Sequence, residues 1–362
     1  MNNQRGFSLV ELIVAMTVTL IVSSAIYGLL TTGGNAFRRE PEIADRQQNI
    51  RAAMDFVTRD VFAAGAALPP FTQVFTRIDP AGACAGGLNS CGITGTMGAL
   101  AAAARGDDED TDVIEVVSTD EQCPHASVCS TAVLAGSAGL FVTREMQAAC
   151  VGVPGLVTLV SSPTNAANLG FTVQAVTAAA GTTPCDGAVG SPPNANLTLG
   201  AALAPFTGPV FAGDAVFLYR ARLARYRVAL NPDPLDPVPC LWRTETGRYA
   251  TDGSAAIEPG EAGFVVAGSP WQLIARGIED MQIEYRDGNG VWSNMPPVVI
   301  ANTWTTLVRQ VRITLSARAT APNLQGETIA GGGAPNAVRG QLSTVVTPRP
   351  TFNELQMGSQ IR

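Results

Sequence analysis

Residues 6–30 read GFSLVELIVAMTVTLIVSSAIYGLL, and this stretch decides how the chain begins to fold. One carboxylate, Glu11, precedes about nineteen residues without a charge, which is long enough for a helix that crosses a bilayer. A secretory signal peptide has its cleavage site after the apolar run, whereas here a short polar leader with Arg5 ends in Gly6, before the run. Cleavage at Gly6 would therefore leave the apolar helix at the N-terminus of the mature chain.

Glu11 is an unusual residue for the edge of an apolar helix. A carboxylate at the centre of a membrane helix costs about 2.5–3.5 kcal/mol, so a nearby cation is needed to offset the charge. Cleavage after Gly6 gives Phe7 a new amine and makes Glu11 the fifth residue of the mature chain. The two groups are about one helical turn apart. Glu11 can then pair with the amine of its own chain or with that of a neighbouring subunit.

The sequence GFSLVEL of residues 6–12 resembles the class III signal of type IV pilins and type II secretion pseudopilins. The resemblance implies that a prepilin peptidase cleaves between Gly6 and Phe7 and methylates the amine of Phe7. It also implies that Glu11 forms an assembly salt bridge, which guides the subunit into a helical filament. An ordinary signal anchor that happens to begin with these residues is the alternative interpretation.

Three further segments narrow the resemblance to a subfamily. Residues 46–65 (RQQNIRAAMDFVTRDVFAAG), together with 273–292 and 308–318, resemble PilW-type minor pilins and also the type II secretion pseudopilin J. The resemblance covers about residues 1–65 and 270–320. It implies a pilin-like α+β fold, in which a long N-terminal transmembrane and amphipathic helix packs on an antiparallel β-sheet globular domain.

The predicted organisation has three parts. They are a leader peptide (1–6), an N-terminal helix (7–64) and a β-rich globular domain with disulfide loops (65–362). The helix is expected to span the membrane over about 9–30 and to be amphipathic over about 42–64. Two glycines and Pro41 predict a kink or a locally melted stretch at about 33–41, because glycine costs about 1 kcal/mol and proline about 3 kcal/mol inside a helix.

Apolar periodicity predicts the buried faces of the globular domain. Five apolar residues share one face of the second helical segment: Ile43, Ile50, Met54, Val57 and Val61. In 281–286 and 311–318 apolar and polar residues alternate, which predicts a sheet with one buried and one wet face. Asp287-Gly288-Asn289-Gly290 predicts a hairpin between strands. Further short strands are predicted at Val113–Val117, Leu140–Thr143, Leu156–Val160, Ala215–Tyr219 and Ala224–Leu230.

The seven cysteines favour disulfides in an oxidising periplasm. They are Cys84, Cys91, Cys123, Cys129, Cys150, Cys185 and Cys240. Spacing alone does not determine connectivity. The preferred pairs are Cys84–Cys91 and Cys123–Cys129, followed by Cys150–Cys185, with Cys240 left over. A metal site at Cys123, His125 and Cys129 is the alternative, but its spacing matches no common zinc pattern, so no metal is predicted.

Composition excludes several other classes of function. The net charge is −7 and only 15% of residues are charged, without the basic clusters that nucleic-acid binding needs. The sequence has one histidine, no lysine-bearing phosphate loop and no HExxH motif. This argues against an enzyme, and no cofactor is expected. The acidic cluster of Asp107, Asp108, Glu109, Asp110 and Asp112 offers oxygen ligands for calcium, but a solvated turn is preferred because the EF-hand layout is missing.

The resemblance therefore implies a minor pilin that helps to assemble or initiate a type IV pilus, in the tip complex. Its expected partners are the prepilin peptidase, the lipid of the inner membrane, and other minor pilins and the major pilin through the N-terminal helix. The expected location is the bacterial inner membrane, crossed once with the globular domain in the periplasm, and then the pilus at the cell surface. Two alternatives stay open: a pseudopilin J-like tip subunit, and an adhesin that uses 66–270 to bind a surface.

Overall fold

A computed structural model of the chain shows a long N-terminal helix and two antiparallel sheets. The structure describes residues 8–66, 68, 74–75, 111–119, 126–127, 139–143, 155–162, 171–180, 194–199, 215–233, 238–246, 257–261, 263–297, 299, 303–319 and 339–349. Gly6, Phe7, Asp107–Asp110 and six of the cysteines lie outside these ranges.

Helix α1 runs without a break over Leu9–Phe62, with Pro41 inside it. Its 54 residues extend about 81 Å at 1.5 Å per residue. The prediction of a locally melted stretch at 33–41 is wrong, because these residues are helical. Proline removes one hydrogen bond at this point, and the turns on both sides continue the helix. A bend of the axis at 33–41 stays a prediction.

The helix ends in a turn that joins it to the large sheet. Gly65 has a φ of 69°, which glycine adopts without strain, and its N–H donates to the Val117 carbonyl at 2.8 Å. The Thr119 hydroxyl donates to the Ala66 carbonyl at 2.5 Å. These bonds fix the point at which the chain leaves the helix.

The large sheet contains nine strands. In chain order they are β1 (Ile114–Thr119), β2 (Ala126–Ser127), β3 (Gly139–Thr143), β4 (Gly155–Ser162), β5 (Phe171–Ala180), β6 (Asn194–Leu199), β7 (Ala215–Leu230), β8 (Pro239–Thr244) and β9 (Gln272–Arg276). The strand order is β3-β6-β5-β4-β7-β8-β9, and β1 and β2 also pair with β7. The sequence predicted two strands at 215–219 and 224–230, whereas the structure has one continuous strand of 16 residues, β7.

Strand β7 divides the large sheet into two regions. Its first residues pair with β2 and β4, and its later residues pair with β1 and β8. Strands β2–β6 therefore form an extension that is inserted between β1 and β7. The insertion begins and ends close together, since Thr119 and Ala221 are antiparallel partners.

The small sheet contains β10 (Ile278–Arg286), β11 (Trp292–Ser293), β12 (Gln310–Arg318) and β13 (Arg339–Val346), in the order β11-β10-β12-β13. The predicted hairpin joins β10 to β11. The carboxylate of Asp287 accepts hydrogen bonds from the N–H groups of Asn289 and Val291, at 2.9 and 2.8 Å, and Gly290 has a φ of 86°. The predicted alternation is confirmed, because every second residue of β12 is buried.

One apolar core joins the helix to both sheets. It contains the predicted helix residues Ile50, Met54, Val57 and Val61, with Val116 and Tyr226 of the large sheet and Met281, Ile283, Ile313 and Leu315 of the small sheet. The predicted α+β arrangement, a long N-terminal helix packed on antiparallel β-structure, is confirmed. The helix covers two sheets, each of which contributes to the core.

Candidate functional site

The first part of helix α1, Leu9–Leu30, exposes its apolar side chains. It is long and apolar enough to cross a membrane, as judged by length and composition. At 1.5 Å per residue these 22 residues span about 33 Å, and the hydrocarbon core of a bilayer is about 30 Å thick. Leu9 is 73% exposed and Leu29 is 77% exposed. This surface needs lipid or another apolar helix to cover it.

Two threonines within this part of the helix have their hydroxyl groups satisfied by the helix itself. The Thr17 hydroxyl donates to the Val14 carbonyl at 2.8 Å, and the Thr19 hydroxyl donates to the Ala15 carbonyl at 2.7 Å. In hydrocarbon an unsatisfied hydroxyl is costly, whereas this internal bond removes the need for a partner outside the helix. The threonines are therefore compatible with an apolar environment.

Glu11 lies in the first turn of α1 and is exposed. Ser8 precedes the helix in an extended conformation, and its carbonyl accepts a hydrogen bond from the N–H of Leu12 at 3.2 Å. The N-terminus of a helix carries partial positive charge, which favours a carboxylate in the first turn. Because Gly6 and Phe7 lie outside the described residues, cleavage, methylation and the assembly salt bridge stay predictions.

The second part of α1 is attached to the large sheet through Asp60. The hydroxyl of Tyr226, on β7, donates to Asp60 Oδ2 at 2.5 Å and lies 2.9 Å from the Phe56 carbonyl. Arg243, on β8, shares its Nε–H between Asp60 Oδ2 at 2.8 Å and the Tyr226 hydroxyl at 3.0 Å. We call Asp60, Tyr226 and Arg243 the helix clamp.

Burial and neighbouring charges shift the pKa values of Tyr226 and Arg243 in the helix clamp. Burial raises the pKa of Tyr226, and the charge of Asp60 raises that pKa further, so the hydroxyl keeps its proton and donates it. Burial lowers the pKa of Arg243, but the hydrogen bond to Asp60, the charge of Asp60 and the hydrogen bond to Glu245 outweigh burial and raise the pKa overall. The clamp therefore places a neutral phenol and a cation against the side chain of Asp60.

A second polar attachment joins α1 to the small sheet. The Arg46 guanidinium donates to the Arg339 carbonyl on β13 at 2.6 Å. A Cβ atom at Gly340 would lie 3.0 Å from Arg46 Cζ, so the absence of a side chain lets the guanidinium approach the strand. Arg339 in turn pairs with Glu279 of β10 at 2.6 Å. We call Arg46 and its contacts on β13 the upper attachment.

A network of buried ion pairs lies on the large sheet. Arg225, on β7, contacts Glu115 at 3.0 Å and Glu258 at 2.8 Å, and Arg227 contacts Glu258 at 2.6 Å. Burial lowers the pKa of Arg225, but the two carboxylates outweigh it and raise the pKa overall. Glu258 lies in the segment that also brings Phe264 onto Trp242, with ring centroids 5.5 Å apart. The network attaches this segment to the sheet.

The cysteines and the acidic cluster are the remaining site residues that the sequence predicted. The cysteines of the three preferred disulfides lie outside the described residues, so those pairs stay predictions. Cys240, on β8, is buried, with its sulfur 3.3 Å from the Val238 carbonyl. Of the acidic cluster, Asp112 is described, and it accepts a hydrogen bond from the Ile283 N–H at 2.7 Å. Among the described residues, no group of three His, Cys, Asp or Glu side chains is placed to hold a metal ion.

Comparison with known proteins supports the N-terminal part of this picture. Residues 1–27 match the family described as the prokaryotic N-terminal methylation motif. The chain carries a type IV pilin class III signal. This signal, followed by the exposed apolar helix, points to membrane anchoring. No curated protein sequence matches the chain.

One solved structure similar to the chain is a type IV-like pilin from Thermus thermophilus. It is 15% identical over 54% of this chain and 85% of its own length, with a TM-score of 0.19. A TM-score this low carries no argument about shared architecture. The helix and sheets of the chain itself are the basis for the α+β assignment.

The sequence interpretation missed the helix clamp and the upper attachment. In the sequence, Asp60 lies between Val57 and Val61, which are both buried. A carboxylate so close to a buried face indicates that the sheet provides it with a polar partner. The partners themselves are 166 and 183 residues away in the chain, so spacing does not identify them.

Proposed function

We propose that the chain is a minor pilin of the PilW type, a structural subunit that assembles or initiates a type IV pilus. The observation that carries the proposal is the exposed apolar helix Leu9–Leu30, placed directly behind a class III signal. Its other end is anchored in the core of a globular body. Such a subunit is stored in a membrane and then exchanges lipid contacts for contacts with other apolar helices.

Processing creates the charge pair on which assembly depends. In this proposal the prepilin peptidase cleaves after Gly6 and methylates the amine of Phe7. Glu11 then pairs with the amine of a neighbouring subunit and sets the axial register. An exposed glutamate at the start of the helix is accessible to such a partner. A charge pair in a low-dielectric environment is strongly destabilised when one partner is removed, so the register depends on Glu11.

The proposed location follows from the same helix. The apolar part crosses the inner membrane once, the globular body lies in the periplasm, and assembly carries the body to the cell surface. A body of about 300 residues is large for a repeated unit of a thin filament. Its size therefore favours a position at the tip of the filament. Other minor pilins and the major pilin are the partners that the apolar helix would contact.

Intact-mass analysis of membrane-extracted protein tests processing. The wild-type chain is expected to begin at Phe7 with one added methyl group, and Gly6→Val is expected to stay uncleaved, because the peptidase requires a residue without a side chain. Gly28→Ala is a matched control, since a Cβ at Gly28 meets nothing within 4 Å, and it should be processed normally. A mature start other than Phe7 would contradict the class III assignment.

The composition of the chain allows a direct test of the salt bridge. All 23 cationic side chains are arginine, so the N-terminal amine is the one amine that a carbodiimide can couple to a carboxylate. In filaments that combine an isotopically heavy form of this chain with light partner pilins, a heavy–light cross-link between Glu11 and the N-terminal amine of a partner pilin would show pairing between chains. A cross-link found exclusively within one chain would contradict the register role, and Glu11→Gln is the control that should give none.

Co-purification tests assembly itself. Glu11→Ala is expected to be cleaved and inserted at wild-type levels and to be lost from complexes with other pilins. Glu11→Asp should be partly defective, because the shorter side chain keeps the charge and loses reach. Recovery of the wild-type protein with secretion-system components, and not with pili, would favour the pseudopilin alternative. Incorporation of Glu11→Ala at wild-type levels would contradict the proposal.

A further inference from the structure

We propose that the helix clamp, Asp60 with Tyr226 and Arg243, positions the assembly helix on the globular body. This inference rests on the proposed function, since positioning matters for a helix that must meet its neighbours in one register. Asp60 is the carboxylate of the helix that receives hydrogen bonds from both β7 and β8. It is a positioning residue, because it acts through the helix that carries Glu11.

Because the helix is long, a small change in its tilt at the clamp produces a large displacement of Glu11. Asp60 and Glu11 are 49 residues apart, which is about 74 Å along an ideal helix. A tilt of about 5° at the clamp displaces Glu11 sideways by about 6 Å, slightly more than the 5.4 Å rise of one helical turn. Such a displacement would separate a salt bridge, whose atoms lie within about 4 Å of each other.

Apolar packing holds the helix on the body, and directional hydrogen bonds add a fixed geometry to that packing. The core side chains Ile50, Met54, Val57 and Val61 are aliphatic and lie on one stripe. Interactions between such side chains are non-directional. The clamp adds charge-assisted bonds with fixed geometry, at 2.5 and 2.8 Å, to two neighbouring strands.

The upper attachment supplies a second fixed point. Arg46 and Asp60 are 14 residues apart, which is about 21 Å, and they lie about 40° apart around an ideal helix. Arg46 binds the small sheet, whereas Asp60 binds the large sheet. Two points on nearly the same side of the helix define both its axial position and its rotation relative to the body.

Glu245 extends the clamp toward the surface. It accepts a hydrogen bond from Arg243 at 2.9 Å and from Arg222 at 2.7 Å. Arg243 is thus held from both sides, by Asp60 on the helix and by Glu245 at the end of β8. Removing the charge of Asp60 weakens the bond between Arg243 and the helix, so that the Tyr226–Phe56 bond and apolar packing remain to hold the helix on the large sheet.

The first measurement is the distance between the helix and the body in the purified, full-length protein in detergent. Spin labels on unnatural amino acids at Leu29, on the N-terminal side of the upper attachment, and at Val345 of β13, both exposed, leave the seven cysteines unchanged. The wild-type chain should give one narrow distance distribution. Asp60→Asn should broaden and shift it, whereas Asp60→Glu should restore it in part because it keeps the charge.

The matched control is Asp55→Asn, an exposed carboxylate on the same helix. It should leave the distance distribution unchanged, which separates the loss of the clamp from the loss of any helix charge. Near-ultraviolet circular dichroism shows whether each variant keeps the packed body. Should Asp60→Asn fail to fold, Tyr226→Phe removes the hydrogen bonds of the hydroxyl to Asp60, Arg243 and the Phe56 carbonyl while keeping the ring in the core, and it should broaden the distribution as well.

The second measurement is incorporation into filaments, expressed per folded molecule. Asp60→Asn should incorporate less than Asp55→Asn, at equal levels of cleaved, membrane-inserted protein. A narrow, unshifted distance distribution for both Asp60→Asn and Tyr226→Phe would overturn the proposal. A broad distribution with incorporation equal to that of Asp55→Asn would also overturn it. If the wild-type chain itself enters no filament, the proposed function fails, and the distance measurement still decides whether the clamp positions the helix.

Discussion

The two parts of helix α1 differ in where their partners come from. Over Leu9–Leu30 apolar residues lie on every side, and the described side chains of this part are exposed. Over 50–61 the apolar residues Ile50, Met54, Val57 and Val61 form one stripe, which the chain's own two sheets bury, whereas Phe56 and Phe62 are exposed. A helix that is apolar all round needs partners beyond its own globular body, whereas a striped helix packs on its own domain. One continuous helix therefore joins an internal core to an external interface.

A charge placed in each part should have opposite consequences, and this is the largest expected effect. Val57 is 0% exposed in the core, and an unpaired buried charge there costs about 3–5 kcal/mol. Because domains are stable by about 5–15 kcal/mol, Val57→Asp should lower the melting temperature of the body steeply or prevent folding. Thermal unfolding followed by tryptophan fluorescence measures the change.

Val18→Asp is the matched variant in the exposed part. Val18 is 54% exposed, so the body should unfold at the wild-type temperature. Membrane insertion should weaken by about 2.5–3.5 kcal/mol, the cost of an aspartate at the centre of a membrane helix. Flotation with lipid vesicles measures this loss. A fall in the melting temperature of the body as large as that of Val57→Asp would show that the two parts are not separate.

The predictable features of this fold are those whose signal lies within one stretch of sequence. Four of the five residues predicted for the helix stripe, Ile50, Met54, Val57 and Val61, are buried, whereas Ile43 is half-buried. In β12 every second residue is buried, as the alternation predicts. The hairpin at 287–290 follows from its turn residues. The apolar span is predicted from the length of its uncharged run of residues. Each signal is local because it depends on residues that are neighbours in the same element.

The missed features depend on contacts between distant parts of the chain. Strand β8 is buried on both faces, so PCLWRT shows no alternation that would mark it as a strand. Strand β5 ends in a run of alanines, which are poor strand formers. The helix through Pro41 continues although proline is the strongest helix breaker. The helix clamp is formed by partners from three elements, and no spacing rule joins them.

One of the two glycines between the parts, Gly33, offers a smaller test of their separation. Gly33 is helical and a Cβ atom there meets nothing within 4 Å, so Gly33→Ala should stabilise the helix locally by up to about 1 kcal/mol. Amide hydrogen exchange should slow near residue 33, while the melting temperature of the body stays unchanged. A rise in that melting temperature would mean that the junction and the core unfold together.

The smallest expected effect concerns the pH dependence of the attachment at Glu245, which is 47% exposed. Partial burial raises the pKa of Glu245, but the hydrogen bond from Arg243 and the charge of Arg222 outweigh burial, so the pKa lies below its ordinary value of 4.5. A lowered pKa in the folded state means that the contribution of Glu245 to stability is complete above pH 4.5 and is lost as the pH falls through the folded-state pKa.

Glu245→Gln should therefore differ from the wild-type chain by a constant free energy of unfolding above pH 4.5, and the difference should shrink in more acid solution. Pairs this exposed contribute less than about 1 kcal/mol, so urea unfolding at closely spaced pH values is required. Raising the salt concentration to about 1 M is the control, because it shortens the screening length to about 3 Å and should remove most of the difference. A difference that grows as the pH falls would contradict the pairing of Glu245 with Arg243 and Arg222.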